Sequence, residues 1–378
     1  MTLLQRHNEF PQDAKLVYLN HAAVGPWPKR TTEAVKQFAE ENTIYGAKHY
    51  PSWLKKENKL RSQLQTLINA PSPDDIALVK NTSEALSFVA YGINWQQGDN
   101  IVSSNHEFPS NRIPWQSLGN KGVTFRQAAI CDAEDPEQAL FDLVDHQTRL
   151  ITISSVQFAS GQSINLERIG EFCQQNNILF CIDAIQTLGA IEFDVQRYNA
   201  DFVMADGHKW MLGPEGLGVF YTKPAAREQL SLTQFGWHMI LDSANYDNRP
   251  WKINPSAKRF ECGSPNMLGI HALSASLSLL LEIGIAEVER SILNHVEQIE
   301  ENILHNNDLQ LLSRQSKNHL SDIVVFQSKS QSNESLFKKL LQHDIICALR
   351  GGGIRLSPHF YHSEQELDRV FAVLNKTA

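Results

Sequence analysis

Between about residues 76 and 222, short runs that are apolar on both faces alternate with stretches whose apolar positions recur at helical spacing. The apolar runs are 75–80, 99–103, 150–156, 178–182, 202–205 and 217–221, and helical patterns cover 83–93 and 166–175. Runs of this length, separated by helices, predict strands buried on both faces in a mostly parallel sheet. The expected fold class is α/β: a large domain over 16–258, with a smaller α+β domain assembled from 1–15 and 259–378. In that second part a helical pattern runs from about 267 to 305. A strand at 322–326, a helix near 334–343 and a last helix over 363–375 follow. The polar stretch 242–257, rich in Asn, Pro and Trp, reads as a long surface loop.

Ligands of such sheets sit beyond the carboxyl ends of the strands. The residues that follow the predicted strands are Asn81-Thr82-Ser83, the loop 105–111, Gln157, Asp183 and His208-Lys209. Lys209 stands between an apolar strand and Trp210-Met211-Leu212-Gly213, an unusual setting for a solvated amine. Burial would lower its pKa and favour imine chemistry, as pyridoxal 5′-phosphate (PLP) requires of the lysine that holds it as a Schiff base. Asp183 ends a strand of Leu, Phe, Cys and Ile, where a lone carboxylate is costly. A protonated pyridine nitrogen would partner it; an Asp capping the next turn is the plain alternative. Gln186 could reach the cofactor's phenolic oxygen or be an ordinary turn residue.

Asn81-Thr82-Ser83-Glu84 opens a helix, and hydroxyls with free N–H groups at a helix start suit a phosphate, although every capped helix carries them. His208 is a further phosphate donor candidate, or a structural histidine. Phe108, in a polar loop, could stack on a pyridine ring or fold back onto the core. Arg350 and Arg355 bracket Gly351-Gly352-Gly353-Ile354, and a guanidinium there suits capture of a substrate carboxylate. Two surface arginines on a glycine hairpin is the other reading.

The 378 residues carry a formal charge of −8 and are 42% hydrophobic, enough for two domains and without the basic block of a nucleic-acid partner. Cysteines at 131, 173, 181, 262 and 347 form no CxxC pair, so neither a disulfide framework nor a structural metal site is expected. No apolar run approaches a membrane span and the first residues lack signal-peptide order, so a cytoplasmic protein with no membrane partner is expected.

Together these segments resemble the class-V aminotransferase-fold PLP enzymes, a group with cysteine desulfurases, selenocysteine lyases, isopenicillin-N epimerase-like proteins and kynureninases. The resemblance covers Tyr18-Leu19-Asn20-His21-Ala22-Ala23, Asn81 to Leu86, Pro109 to Trp115 and Asp183 to Gln186. It continues through Gly207-His208-Lys209, Arg259 to Asn266 and Gly353 to Tyr361. It implies PLP fold-type I with a seven-stranded sheet, Lys209 as Schiff base, Asp183 on the pyridine nitrogen and Gln186 on the phenolic oxygen. It further implies Phe108 as the stacking residue, Gln157 near the ring oxygen, and Thr82, Ser83 and His208 on the phosphate. Arg355 would hold the substrate carboxylate. Ser264 would reach the neighbouring subunit's phosphate, which makes the active unit a homodimer with its site at the subunit interface. Substrate selectivity would lie with His21, Trp27 and the 234–251 loop.

Three departures matter. Desulfurases of this type carry a catalytic cysteine on a loop between the two arginine segments, whereas 350–355 has neither room nor cysteine, and Cys347 reads as an apolar filler. Phe108 replaces the histidine common at the stacking position. Asp206 stands where a phosphate-binding serine is usual, and since a carboxylate cannot bond a dianion, it is expected to face elsewhere. The expected function is aminotransferase-type chemistry at Cα of a small amino acid. Its alternatives are a cysteine-independent C–S or C–Se β-lyase or an epimerase. The rival of another class is a non-catalytic scaffold on the same fold, which would have no need of both Lys209 and Asp183. A nucleotide-binding protein is a weaker rival, since no GxGxxG follows an early strand.

Overall fold

The structure, a computed structural model, describes residues 8–247, 249–313 and 321–375. The chain enters through β1 (Val17–Tyr18) and two helices, α1 (Lys29–Tyr45) and α2 (Tyr50–Ile68). The doubly apolar runs then build one sheet. Its strands are β2 (Ile76–Val79), β3 (Asn100–Ser104), β4 (Thr124–Ala128), β5 (Thr148–Ser154), β6 (Leu179–Asp183), β7 (Phe202–Asp206) and β8 (Gly218–Thr222). Helices α3 (Thr82–Gly92) and α4 (Leu166–Asn176) lie between them in sequence. The strand order is β2-β8-β7-β6-β5-β3-β4, and β8 alone runs against the other six. β2, β3, β7 and β8 are buried along their whole length, as residues covered on both faces must be. β4 is the exception. It forms the sheet edge, and its mixed Thr-Phe-Arg-Gln-Ala sequence hides it from a search for apolar runs.

Beyond the sheet, the predicted helix over 267–305 is two helices, α5 (Met267–Ile283) and α6 (Ile285–His305), which meet at an angle of 83°. Gly284 makes the corner with φ +89°, a conformation that costs glycine nothing. Among the described residues no single helix is long and apolar enough to cross a membrane. The second sheet is antiparallel. It contains β9 (Leu309–Leu311), β10 (Val324–Ser328), β12 (Ala348–Arg350) and β13 (Gly353–Leu356), in the order β12-β13-β10-β9. Helices α7 (Asn333–Gln342) and α8 (Glu364–Leu374) accompany it.

Long-range contacts cross the line drawn between the two expected domains. β1 pairs in parallel with β11 (Ile345–Ile346), which ties residues 17–18 to the C-terminal part. Conversely, α5 packs against α1 and α2 of the large domain, and Gln63 Nε2 donates to the Ser274 carbonyl at 3.0 Å. The crossover from 259 onward is pinned by a buried ion cluster. Arg61 on α2 donates to both oxygens of Glu261 at 2.6 Å and to Glu57 at 2.7 Å, and Glu261 also accepts the Leu78 N–H of β2 at 2.8 Å. Removing one member would strand a buried charge at a cost of about 3–5 kcal/mol.

Candidate active site

Strands β2, β3, β6 and β7 run the same way, and their carboxyl ends deliver side chains to one cavity of about 680 Å³. Lys209 lies in the turn after β7 and is 8% exposed. Burial lowers its pKa to about 8; Asp183 opposes the shift and Arg355 adds to it. Its Nζ stands 5.7 Å from the centre of the Phe108 ring, which is itself braced edge-on by Phe158. The turn is held from outside: Gly25 N–H donates to the His208 carbonyl at 2.7 Å, and a Cβ at Gly25 would collide with the Lys209 carbonyl. Asp183, the last residue of β6, is buried and accepts the Ile185 N–H at 3.1 Å. Burial raises its pKa to about 7, with Glu107 adding to the shift and Lys209 opposing it.

At the opposite end, Asn81 caps α3 by accepting the Glu84 N–H at 2.9 Å. Thr82 Oγ1 accepts the Asp206 N–H at 3.1 Å, and Ser83 Oγ donates to Ser110 Oγ at 2.8 Å. Asn81 takes the Glu84 N–H of the first turn, and Thr82 and Ser83, at the start of α3, line the cavity. Asp206 does not face elsewhere, as its charge suggested. It lines the cavity, with Oδ1 3.1 Å from His208 Nδ1, close enough for an ion pair but not aligned for a hydrogen bond. The carboxylate thus meets the imidazole at Nδ1.

The third wall is the β12–β13 hairpin. Gly351 and Gly352 turn it with φ +63° and +81°, so no loop separates the two arginines. Arg355 is buried. Its Nη1 donates to the Phe158 carbonyl at 2.6 Å, its Nη2 to Asn20 Oδ1 at 3.3 Å, and its Nε has no partner. Burial, reinforced by the Arg350 charge, lowers its pKa to about 10. Arg350 is exposed at the rim. Cys347 lines the same wall, but burial pushes its thiol up to about 12, which leaves it neutral, as a filler would be.

Five residues named from the sequence do not line the cavity. His21 is fully buried, with Nδ1 on the Ser357 carbonyl at 2.9 Å and Nε2 on the Tyr361 hydroxyl at 2.7 Å, so it cannot touch a substrate there. Gln186 uses both ends of its amide elsewhere: Oε1 accepts the Trp210 indole N–H at 2.9 Å, and Nε2 donates to the Ala22 carbonyl at 3.1 Å. Gln157 is buried behind the lining and donates to Glu107 at 2.8 Å. Ser264 is exposed and lies outside the cavity of its own chain. Trp27, named for selectivity, donates to the Gly213 carbonyl at 3.0 Å and does not line the cavity either.

Sequence reasoning gave no role to Glu107, Asn20 or Phe158. Glu107 is a buried carboxylate that accepts from Ser154 N–H, Ser154 Oγ, Gln157 and Asn111, and so fixes the loop carrying Phe108 onto β5. Nothing in a loop sequence distinguishes such a buried acid from a solvated one. Asn20 stood within a quoted motif, but only the fold brings it to Arg355.

The family model described as "Aminotransferase class-V" matches residues 17–370. The chain belongs to the class-V aminotransferase family. A probable cysteine desulfurase of Methanothermobacter thermautotrophicus is 28% identical over 96% of this chain and 94% of its own. The fold is similar to that of a cysteine desulfurase from Thermococcus onnurineus (22% identity, TM-score 0.86, 99% of this chain and 97% of that one). It is also similar to that of the cystine C–S lyase C-DES solved with its product cysteine persulfide (24% identity, TM-score 0.88, 97% and 99%). This class-V chain is therefore a PLP-dependent enzyme of fold-type I. Its residues fit the cofactor. Asp183 is a buried carboxylate with no ion-pair partner among the described residues, which suits a protonated ring nitrogen. The start of α3, with Thr82 and Ser83 lining the cavity, suits a phosphate, and a buried amine of lowered pKa suits an aldehyde carbon.

Proposed function

We propose that the protein carries out amine transfer from a small α-amino acid, with Lys209 moving the proton at Cα. The observation that carries this reading is the buried amine of Lys209, which stands over the Phe108 ring in the same cavity as Asp183 and Arg355. Lys209 is buried with a lowered pKa, whereas Asp206 faces His208 and the Cys347 thiol is held neutral. Lys209 would hold the cofactor's aldehyde carbon, Asp183 its ring nitrogen, Phe108 its ring face, and Thr82, Ser83 and His208 its phosphate. When bound, PLP supplies an electron sink for the pair left at Cα.

Arg355 receives the substrate carboxylate and fixes Cα relative to Lys209. The neutral amine of Lys209 would take the proton from Cα and pass it, on the same face, to the carbon that had carried the amine on the cofactor side, as amine transfer requires; epimerisation would need a proton returned to Cα from the opposite face. The Gly351-Gly352 turn leaves no place for a cysteine nucleophile, which weighs against persulfide-forming desulfuration. Elimination at Cβ without such a cysteine is the second reading, supported by the desulfurase name of the 28% identical relative. The active unit proposed is a homodimer. Exposed Phe235, Tyr246 and Trp251, and a Ser264 outside its own cavity, support it.

A single-turnover experiment on the PLP-loaded protein with a panel of amino acids tests the reading. Amine transfer yields one 2-oxo acid per site and loses the cofactor colour until a 2-oxo acid is supplied. Steady release of pyruvate or alanine with the colour retained would establish elimination instead.

A further inference from the structure

The β12–β13 hairpin places two arginines in one cavity. Ala348 pairs with Arg355, and Arg350 lies two residues further along β12, so both guanidiniums leave the same face of the hairpin. As diagonal neighbours on an antiparallel ladder their Cα atoms are about 7–8 Å apart. Both line the cavity that holds Lys209. Each finds only neutral oxygens: the Leu349 carbonyl at 2.8 Å for Arg350, and the Phe158 carbonyl and Asn20 side chain for Arg355. Among the described residues neither has an ion-pair partner within 4.0 Å; the charge of Arg350 bears on that of Arg355, as does the buried Asp322, whose own carboxyl burial pushes toward the neutral form.

An α-carboxylate on Arg355 neutralises one of these cations and leaves the other facing the same space. Two unneutralised guanidiniums at this separation are complementary to a ligand with two anionic groups a few bonds apart. The same cavity is also lined by apolar side chains, Phe158 and Phe337 among them, which suit the methylene or sulfur atoms that would join those groups.

On this basis, and resting on the function proposed above, we propose that the substrate is an amino acid with a second carboxylate on its side chain, read by Arg350. The second carboxylate has two sources: a short dicarboxylic amino acid, or a disulfide-linked amino acid with a second carboxyl-bearing half. Selectivity then resides at the rim of the cavity, where Arg350 acts by binding and takes no part in proton transfer.

The test follows the cofactor absorption of PLP-loaded wild type, Arg350→Ala and Arg350→Glu during titration with L-alanine, L-aspartate, L-glutamate and L-cystine. In Arg350→Ala the half-saturating concentration of the preferred carboxyl-bearing compound should rise about tenfold more than that of alanine, as expected for one lost charge-assisted contact at a partly solvated site. In Arg350→Glu the preference should pass to L-ornithine. Whether cystine or the dicarboxylic compounds show the larger change identifies the source. Equal weakening for alanine and the others, or no change for any, overturns the proposal while leaving amine transfer standing. A loaded protein whose spectrum no amino acid perturbs overturns the function proposed above, and this proposal with it.

Discussion

Lys209 and Asp183 are moved by one cause in opposite directions. Burial disfavours charge on both, so the amine falls to about 8 and the acid rises to about 7. Only the neutral amine attacks an aldehyde, so the rate at which cofactor-free protein takes up PLP should climb with pH up to about 8 and level off above it. Stopped-flow absorbance across pH 6 to 10 checks this, and a flat profile would show that loading does not depend on this amine. Arg355→Ala should raise the half-saturating amino-acid concentration by about 30-fold or more, because it removes one partner of a buried charge pair. These residues were legible in the sequence because each is a charged group in an apolar setting. The partners of His21 and Gln186 were not legible, because motif membership does not tell which neighbour a polar atom bonds. Ser357 and Tyr361 claim the first, Trp210 and Ala22 the second.

Among the elements, the hairpin β12–β13 sets the position of both arginines through its two-residue turn. Gly351 and Gly352 both have positive φ, but they differ in surroundings. A Cβ on Gly351 would strike the Ala159 carbonyl, whereas at Gly352 the nearest atom is Leu312 Cδ1 at 4.0 Å. Gly352→Ala should therefore cost about 1–2 kcal/mol from backbone strain alone. Gly351→Ala should cost more and also weaken amino-acid binding, since it pushes the hairpin away from the 158–161 segment. Melting temperatures and substrate titrations of the two variants would show this order, and equal losses would refute it. The central strands were legible because they are apolar on both faces. The edge strand β4 escaped because one side meets solvent, and the corner at Gly284 escaped because apolar spacing continues across it.

Across the whole molecule, the N-terminal segment is tied to the C-terminal part through β1–β11 and a group of buried histidines. His21 packs against His359, Tyr361 and His362, and His359 Nε2 bonds the Trp210 carbonyl at 3.1 Å beside the Lys209 turn. Burial holds His359 down at about 3 and His21 well below its ordinary value. The unfolded chain takes up protons first, at about 6.5, so the stability from these neutral histidines is fully present above that pH. It is lost progressively as pH falls from there toward the folded value, at up to about 1.4 kcal/mol per pH unit for each histidine. Denaturant unfolding between pH 8 and 5 should show this decline, and His359→Gln should make it shallower. A slope unchanged in that variant would remove His359 from the account. The change in composition along the chain gave no sign of the long-range pairing by which β1 reaches β11 and α5 reaches α1 and α2, because such contacts join segments far apart in sequence.

The central claim is that Lys209 holds the cofactor. Borohydride reduction of the PLP-loaded protein, followed by proteolysis and mass spectrometry, tests it most directly. A single pyridoxyl-phosphate adduct is expected, on the peptide containing Lys209 and at that residue. An adduct on another lysine, or none from protein that has bound the cofactor, would contradict it.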